Sequence, residues 1–493
     1  MDRRSARTKI VATIGPATSS LEKLAELAEA GADVFRLNMA HGSAEDGQQL
    51  VNRIRQVSED QGRPLAVLVD LAGPKIRLGE VAQGQIACRL GDTFYLVDAD
   101  PEHPPTAANE LTTTYEPMLS ELSPGDVLML ADGVVGMRVE ETSPGRVRLQ
   151  VTQQGVFRSR QGINLPGVRL SAAALGAEDR RNAEWAAQAG ADFISLSFVR
   201  AAADVVELKT LIRQAGGTAD AIAKIEKREA LQQLEEIVAA SDGVMVARGD
   251  LGVEIDVAQM PIEQKRIIRV CQDLQKPVII ATQMLESMHE SPRPTRAEAT
   301  DVANAILDGA DACMMSGETA IGKFPREAVE VMNRIARATE ESMAGRPLRE
   351  MTRPHADNLR DITRAVVRGA GTMAQVLGAK LVVVASHSGR TALALSQQRS
   401  FVPTIGVSDQ PATLRKMCLY WGVTPLKRAP ATQPQQLIRY ADQWACRMGL
   451  AAPGDRLVIV GGSHLAAGPK GRLETSGVHD IVLGHQGGGP AHD

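Results

Sequence analysis

The sequence predicts an α/β protein: a (β/α)8 TIM barrel interrupted by a small all-β inserted domain and followed by a separate α/β domain. Three observations carry this expectation. Eight short apolar runs, rich in β-branched residues, alternate with amphipathic stretches. The alternation breaks once, from about Gly73 to Leu170. A second, shorter alternation fills the C-terminal third.

The first run is Lys9–Ile14, and a helical pattern follows from Leu21 to Ala30. Ser19 or Ser20 can cap that helix and Gly31 ends it. Then come Asp33–Leu37, a polar helix to about Asp60, and Leu65–Asp70. Between Gly73 and Leu170 polar and apolar residues alternate, punctuated by Ser-Pro-Gly-Asp at 123–126, Ala-Asp-Gly at 131–133 and Ser-Pro-Gly at 143–145. Such spacing reads as an all-β insert. The strand–helix rhythm resumes after Pro166–Gly167 with Phe193–Phe198, Ala221–Glu226, Gly243–Ala247, Pro277–Thr282 and Asp311–Ser316. Three runs before the insert and five after it make the eight. Lys380–Ala385, Thr404–Val407 and Arg456–Val460 then predict a smaller parallel α/β domain, and GHQGGGPAHD at the end reads as a frayed tail. No internal repeat is found. The predicted division is 1–72 and 171–345 for the barrel, 73–170 for the β insert and 346–493 for the last domain.

Composition narrows the function classes. Of 493 residues 44% are apolar and 23% charged, ordinary for a globular chain, while 3% aromatics require aliphatic cores. A net charge of −4 supplies no global field for nucleic acid or an anionic membrane. Five scattered cysteines (Cys88, Cys271, Cys313, Cys418, Cys446) form no metal or disulfide pattern and favour a reducing cytoplasm. The N-terminus lacks a signal-peptide pattern, and no stretch nears eighteen consecutive apolar residues.

A barrel carries its chemistry at the C-terminal ends of its strands. There the sequence places Arg36-Leu37-Asn38-Met39-Ala40-His41, Asp70 followed by Lys75 and Arg77, Lys224-Ile225-Glu226, Arg248-Gly249-Asp250, Thr282-Gln283 with Arg293 and Arg296 behind it, and Ser316-Gly317-Glu318. Each has a plain alternative: a polar turn, a salt bridge between Lys224 and Glu226, a helix cap by Ser316. Together at one rim they point further. Glu226 and Asp250 suit a hard divalent cation; Arg36, Arg77 and Lys224 suit phosphate. The chemistry expected is metal-assisted work on a small phosphorylated acid. No Walker A motif is present.

Nearly the whole length resembles the pyruvate kinase family, through TKIVATIGPAT (8–18), RLN..HG (36–42), GP.IR (73–77), NLPG (164–167), KIE (224–226), SDGVMVARGDLGVE (241–254), ATQMLESM (281–288), PRPTRAEATDVANAI (292–306) and SGETA.G (316–322). The resemblance implies Mg²⁺-dependent (or Mn²⁺-dependent) phosphoryl transfer from phosphoenolpyruvate to ADP, a mobile lid, a C-terminal regulatory domain and a homotetramer. By motif, Arg36 would hold the substrate phosphate, and Glu226 and Asp250 the metal. The N–H groups of Gly249 and Asp250, with the Thr282 hydroxyl, would receive the substrate carboxylate. Asn38, His41 and Arg77 would lie against the nucleotide phosphates. Lys224 would stabilise charge developing on the transferring oxygens and the enolate, and Thr282 would join the relay that protonates the enolate carbon. Ser386-His387-Ser388-Gly389-Arg390-Thr391 is similar to the family's effector phosphate loop; the plain alternative is a strand-to-helix turn capped by serine.

Two departures stand out. Family members mostly hold K⁺ with Asn, Ser, Asp and Thr; here Asn38 and Asp70 match, but Ala40 and Leu71 replace the hydroxylic pair, and Lys75 stands where Glu is common. We expect Lys75 to substitute for K⁺, which would then not be required. In the lid, Gln161 occupies a position where many relatives carry a nucleotide-reaching Lys, and Arg160 is a possible substitute. Two other readings stay open at this level: a metal-dependent lyase or aldolase on the same barrel, and a non-catalytic metabolite-sensing paralogue.

Overall fold

The structure, a computed structural model, describes residues 6–74, 76–98, 109–131, 133–168, 170–349, 361–461 and 475–480. Lys75 and the tail 484–493 lie outside them.

Eight parallel strands close a barrel: β1 (Lys9–Thr13), β2 (Val34–Asn38), β3 (Ala66–Asp70), β4 (Phe193–Leu196), β5 (Asp220–Ile225), β6 (Gly243–Ala247), β7 (Val278–Ala281) and β8 (Ala312–Met315). Each neighbours the next in sequence, and β8 pairs back onto β1 with Lys9 opposite Ala312. The period of two sorts the side chains. Val11, Val34, Leu68, Phe193, Ile222, Met245, Ile279 and Met314 fill the interior, whereas Ile10, Phe35, Val67, Ile194, Ala223, Val246, Ile280 and Cys313 pack against the helices outside. Interior parity therefore falls on Thr13, Arg36, Asp70, Ser195 and Lys224 at the upper ends of the strands. The first helix, Leu21–Ala30, is capped by the Ser20 side chain and ended by Gly31 at φ 123, as its sequence predicts.

The lid leaves the barrel after β3. It holds a six-stranded sheet and a two-stranded pair around its own core of Leu96, Met137, Leu149, Phe157 and neighbours. Two short helical turns among the described residues, Ala82–Gly84 and Met118–Glu121, depart from the all-β expectation. At the hinge, Gly73 sits at φ 69, where a Cβ would stand 2.6 Å from Phe198 Cδ2; only glycine fits both the turn and the close approach.

The C-terminal domain is a five-stranded sheet, and one correction applies. Strands Leu381–Ala385, Thr404–Val407, Val423–Pro425 and Arg456–Gly461 are parallel, but Thr475–Asp480 runs antiparallel to Arg456–Gly461. The sheet is mixed because an edge strand needs no crossover helix. Its apolar residues Leu414, Met417 and Tyr420 belong to the same cluster as the barrel interior.

The barrel floor carries a short recurring signal. Gly-Ala-Asp occurs three times, at 31–33, 190–192 and 309–311, each immediately before or at the start of a barrel strand. Each aspartate accepts the main-chain N–H of a neighbouring strand: Ile10 to Asp33 (3.1 Å), Val67 to Asp192 (2.8 Å), Val278 to Asp311 (2.9 Å). Asp242 does the same for Ala221 (3.0 Å). A three-residue signal spaced by whole βα units is too short to register as a repeat in one sequence. In two of these aspartates the other carboxylate oxygen meets a cation of the C-terminal domain, Arg415 on Asp192 (2.6 Å) and Arg399 on Asp311 (2.9 Å); Lys416 of the same domain pairs with Asp220 at the start of β5 (2.5 Å). Asp192 is 1% exposed and also binds Arg55 at 2.9 Å. Asp192→Asn keeps one acceptor but cannot satisfy both guanidinium groups. We expect it to lower stability by about 2–3 kcal/mol, read as a lower urea midpoint by circular dichroism; an unshifted midpoint would mean the contact holds nothing.

Candidate active site

The mouth of the barrel is organised around Asp70, at the end of β3 and 1% exposed. Its Oδ2 accepts from Arg36 Nη2 (2.5 Å) and Nε (2.9 Å). Its Oδ1 accepts from Ser195 Oγ (2.6 Å) and lies 3.5 Å from Lys224 Nζ. Arg36 also donates to Thr13 Oγ1 at 3.0 Å. Burial would push the Asp70 carboxyl up, but Lys224 and Arg36 outweigh it and hold it below its usual range.

Lys224, at the upper end of β5, donates to Ser197 Oγ at 2.7 Å, and Ser197 in turn donates to Leu71 O at 2.7 Å. Burial alone would favour the neutral amine; Asp70 and Glu226 reverse this and keep the Lys224 pKa above its usual value. Glu226 lies just beyond β5 and is 2% exposed. Its Oε1 accepts from Phe198 N at 2.7 Å. Its Oε2 is buried, 3.4 Å from Lys224 Nζ, with no hydrogen-bond partner among the described residues. Burial, reinforced by Asp250 and opposed by Lys224, pushes the Glu226 carboxyl up to about 7. A buried carboxylate oxygen left open beside a second acid fits a divalent cation, whose charge would remove the penalty that raises the pKa.

Asp250 stands in the first turn of the short helix Arg248–Glu254 after β6. Gly249 N–H donates to Thr282 Oγ1 at 2.8 Å, and Thr282 Oγ1 donates to Ala281 O at 2.7 Å. Thr282 (φ 66) and Gln283 (φ 54) are both left-handed, as is Phe198 (φ 56) beside Glu226. Such residues concentrate where a site overrides local preference. The strand predicted to reach Phe198 ends at Leu196 for this reason.

The structure thus brings Arg36, Lys224, Glu226, Asp250, Gly249 and Thr282 to one rim. Asn38 closes β2, with its Oδ1 accepting from Ala40 N at 3.0 Å, and His41 is exposed beyond it. Arg77 is less close to expectation: it pairs with Gly162 across the base of the lid, and its guanidinium donates to Arg160 O at 2.9 Å. The Gln161 side chain accepts from Arg158 N (2.7 Å), and Arg160 pairs with Glu80 (2.6 Å). Both therefore turn to the lid itself. Arg293 and Arg296 are exposed. Ser316 does not cap its helix; its Oγ is buried without a partner among the described residues, and Glu318 accepts from Ser316 N (2.7 Å) and Leu285 N (3.0 Å) instead. Glu318 also forms a possible metal-binding trio with Glu286 and His289, between the ends of β7 and β8.

Sequence reasoning missed Thr13, Ser195 and Ser197 as site residues, and placed Arg248 at the rim without giving it a role. Three hydroxyls looked like ordinary strand residues; their parity with Arg36 and Lys224 was the available signal. In the C-terminal domain the 386–391 loop follows its strand and opens the helix Arg390–Gln397. The N-cap is Gly389 at φ 81, with no side-chain cap, so the serine-capping alternative is not what forms. Instead His387 pairs with Asp409 at 2.8 Å, and its carbonyl accepts from Thr413 Oγ1 at 2.8 Å.

Residues 5–329 match the family model "Pyruvate kinase, barrel domain" and residues 364–479 match "Pyruvate kinase, alpha/beta domain". A pyruvate kinase of Agrobacterium vitis is 42% identical over 462 residues, covering 93% of this chain and 94% of that protein. One from Methylorubrum extorquens is 41% identical over 467 residues (93% and 95%), and one from Geobacillus stearothermophilus 37% over 478 (96% and 80%). The polar rim, the inserted lid and these matches along almost the entire length place the chain in one family: it belongs to the pyruvate kinases, phosphotransferases acting between phosphoenolpyruvate and ADP.

Proposed function

We propose that this chain transfers the phosphoryl group of phosphoenolpyruvate to ADP at the rim built on Asp70, with Mg²⁺ or Mn²⁺ as the divalent cation and without a requirement for K⁺. The observation that carries the assignment of roles is the convergence of Arg36, Lys224 and the open, buried oxygen of Glu226 around one carboxylate. Arg36, fixed by two bonds to Asp70, presents its remaining N–H groups to the substrate phosphate. Lys224, held by Ser197, stabilises charge that develops on the transferring oxygens and on the enolate. Glu226 and Asp250 hold the divalent cation; when bound, it supplies charge neutralisation for the enolate and phosphoryl oxygens. Gly249, Asp250 and Thr282 receive the substrate carboxylate, and the Thr282 hydroxyl belongs to the relay that protonates the enolate carbon. Asn38, His41 and Arg77 serve the nucleotide, with Arg77 dependent on lid closure.

K⁺ independence is supported by the lost hydroxyls at Ala40 and Leu71 and by the ammonium of Lys75 in the hinge sequence. Leu71 has the outward parity of β3 and packs in the layer outside the barrel, a setting that suits an aliphatic side chain. The same reading takes 386–391 as a site for a phosphorylated effector, through Ser386, Ser388, Gly389, Arg390 and Thr391. It keeps the domain division given above, a homotetramer and a cytoplasmic location. No described helix is long and apolar enough to cross a membrane.

A coupled assay of pyruvate formation from phosphoenolpyruvate, ADP and Mg²⁺ tests the proposal. Turnover should vanish with chelator and return with Mg²⁺ or Mn²⁺. Exchanging Na⁺ for K⁺ should change it by less than about tenfold, or about 1.4 kcal/mol of barrier; a larger stimulation by K⁺ would overturn that part, and Lys75→Glu should lower turnover in Na⁺. Lys224→Met should cost about 10²–10³-fold in kcat, the scale of losing one aimed charge donor. Ser197→Ala should cost less, about 3–10-fold, with the fold intact by circular dichroism; no loss would mean that Ser197 does not orient the lysine.

A further inference from the structure

Arg248 is 9% exposed, and its guanidinium points not at the open mouth but across to the end of β7. Nη2 donates to Thr282 O at 2.7 Å and to Gln283 O at 3.1 Å, and Nε reaches Thr282 O at 3.3 Å. Nη1 donates to Asp301 Oδ2 at 2.6 Å. Asp301 stands on the helix Arg296–Asp308, whose start is fixed by the reciprocal bonds of Thr295 and Glu298.

Thr282 and Gln283 are the two consecutive left-handed residues noted above. A β-branched residue such as threonine resists that conformation, so something must hold it. The two carbonyls turned by the left-handed pair are the ones the guanidinium takes. The next residue after Arg248 closes the loop from the other side, because Gly249 N–H donates to Thr282 Oγ1. One side chain and one adjacent N–H therefore fix both the backbone and the hydroxyl of Thr282 relative to the Gly249–Asp250 turn.

We propose that Arg248, anchored by Asp301, is a positioning residue for the reaction: by binding the Thr282 and Gln283 carbonyls it holds the strained turn that places the Thr282 hydroxyl beside Gly249 and Asp250. The inference rests on the reading of Thr282 as a reacting-site group. The planar fork is essential to it. A lysine supplies the charge from a single point and cannot span two carbonyls and a carboxylate at these angles.

Steady-state kinetics of Arg248→Lys, Arg248→Gln and Asp301→Asn, each alone and combined with Thr282→Ala, test the proposal. Arg248→Lys should lower kcat by about tenfold or more with the ADP KM unchanged, and Asp301→Asn should do the same more weakly. In the Thr282→Ala background, either change should alter kcat by less than about twofold, because the group being positioned is gone. If Arg248→Lys stays within twofold of the parent, or if its effect multiplies undiminished with that of Thr282→Ala, the positioning role is overturned while the role of Thr282 stands. If Thr282→Ala alone leaves kcat unchanged, the reading of Thr282 fails and the inference fails with it. Thermal melts identify any variant that does not fold; should Arg248→Gln be one, the lysine and Asp301 variants decide the question.

Discussion

A single buried carboxylate at the top of β3 conditions the rest of the active site. Asp70 has almost no access to solvent, so its charge is tolerable only because a guanidinium, an ammonium and a hydroxyl surround it. The dependence is mutual. Lys224 would lean toward neutrality in so buried a position without Asp70 and Glu226, and Arg36 would keep only its bond to Thr13. Asp70 thus decides the protonation of one group and the orientation of another, while touching neither transferred atom in the proposed reaction. Glu226 is the member left unbalanced, with one oxygen open and a raised pKa. A bound cation would remove that imbalance, which is the basis on which Glu226 is proposed as a ligand.

The opposite end of the barrel repeats the same physics for a structural purpose. Aspartates at the strand starts tie neighbouring strands through main-chain N–H groups and receive cations from the C-terminal domain. Helix Pro411–Lys416 carries two of those cations, and Thr413 on the same helix bonds the carbonyl of His387 in the candidate effector loop. The 386–391 loop and the lower ends of β4 and β5 are therefore connected through one short helix. The upper ends of those strands bear Ser195 and Lys224.

Much of the fold was legible from pattern. The eight runs became eight strands, the break became the lid, and Ser20 and Gly31 bounded the first helix as their chemistry requires. Strand ends were less legible. Phe198 and Thr282 read as continuing strands by hydrophobicity, yet both adopt left-handed backbone, which a hydrophobic pattern does not signal. The antiparallel last strand and the mixed sheet it creates carry no local signature. The Gly-Ala-Asp repeat was present in the letters but acquires meaning only when the three copies meet on one floor.

The residues themselves fixed which chemistry was available: a lysine and a glutamate two apart near one strand end, an arginine and an aspartate on adjacent strands, a Gly-Asp turn, and the loss of two hydroxyls near the hinge. Their period of two fixed which would face inward. Tertiary structure alone decided which of them are bonded to which, that Arg77, Arg160 and Gln161 bond within the lid, and that Arg248 grips the turn after the next strand. The physical reason is the same in each case. Side-chain type and parity are local properties of a strand, whereas a hydrogen bond between strand ends depends on closure of the whole barrel, which joins residues dozens of positions apart.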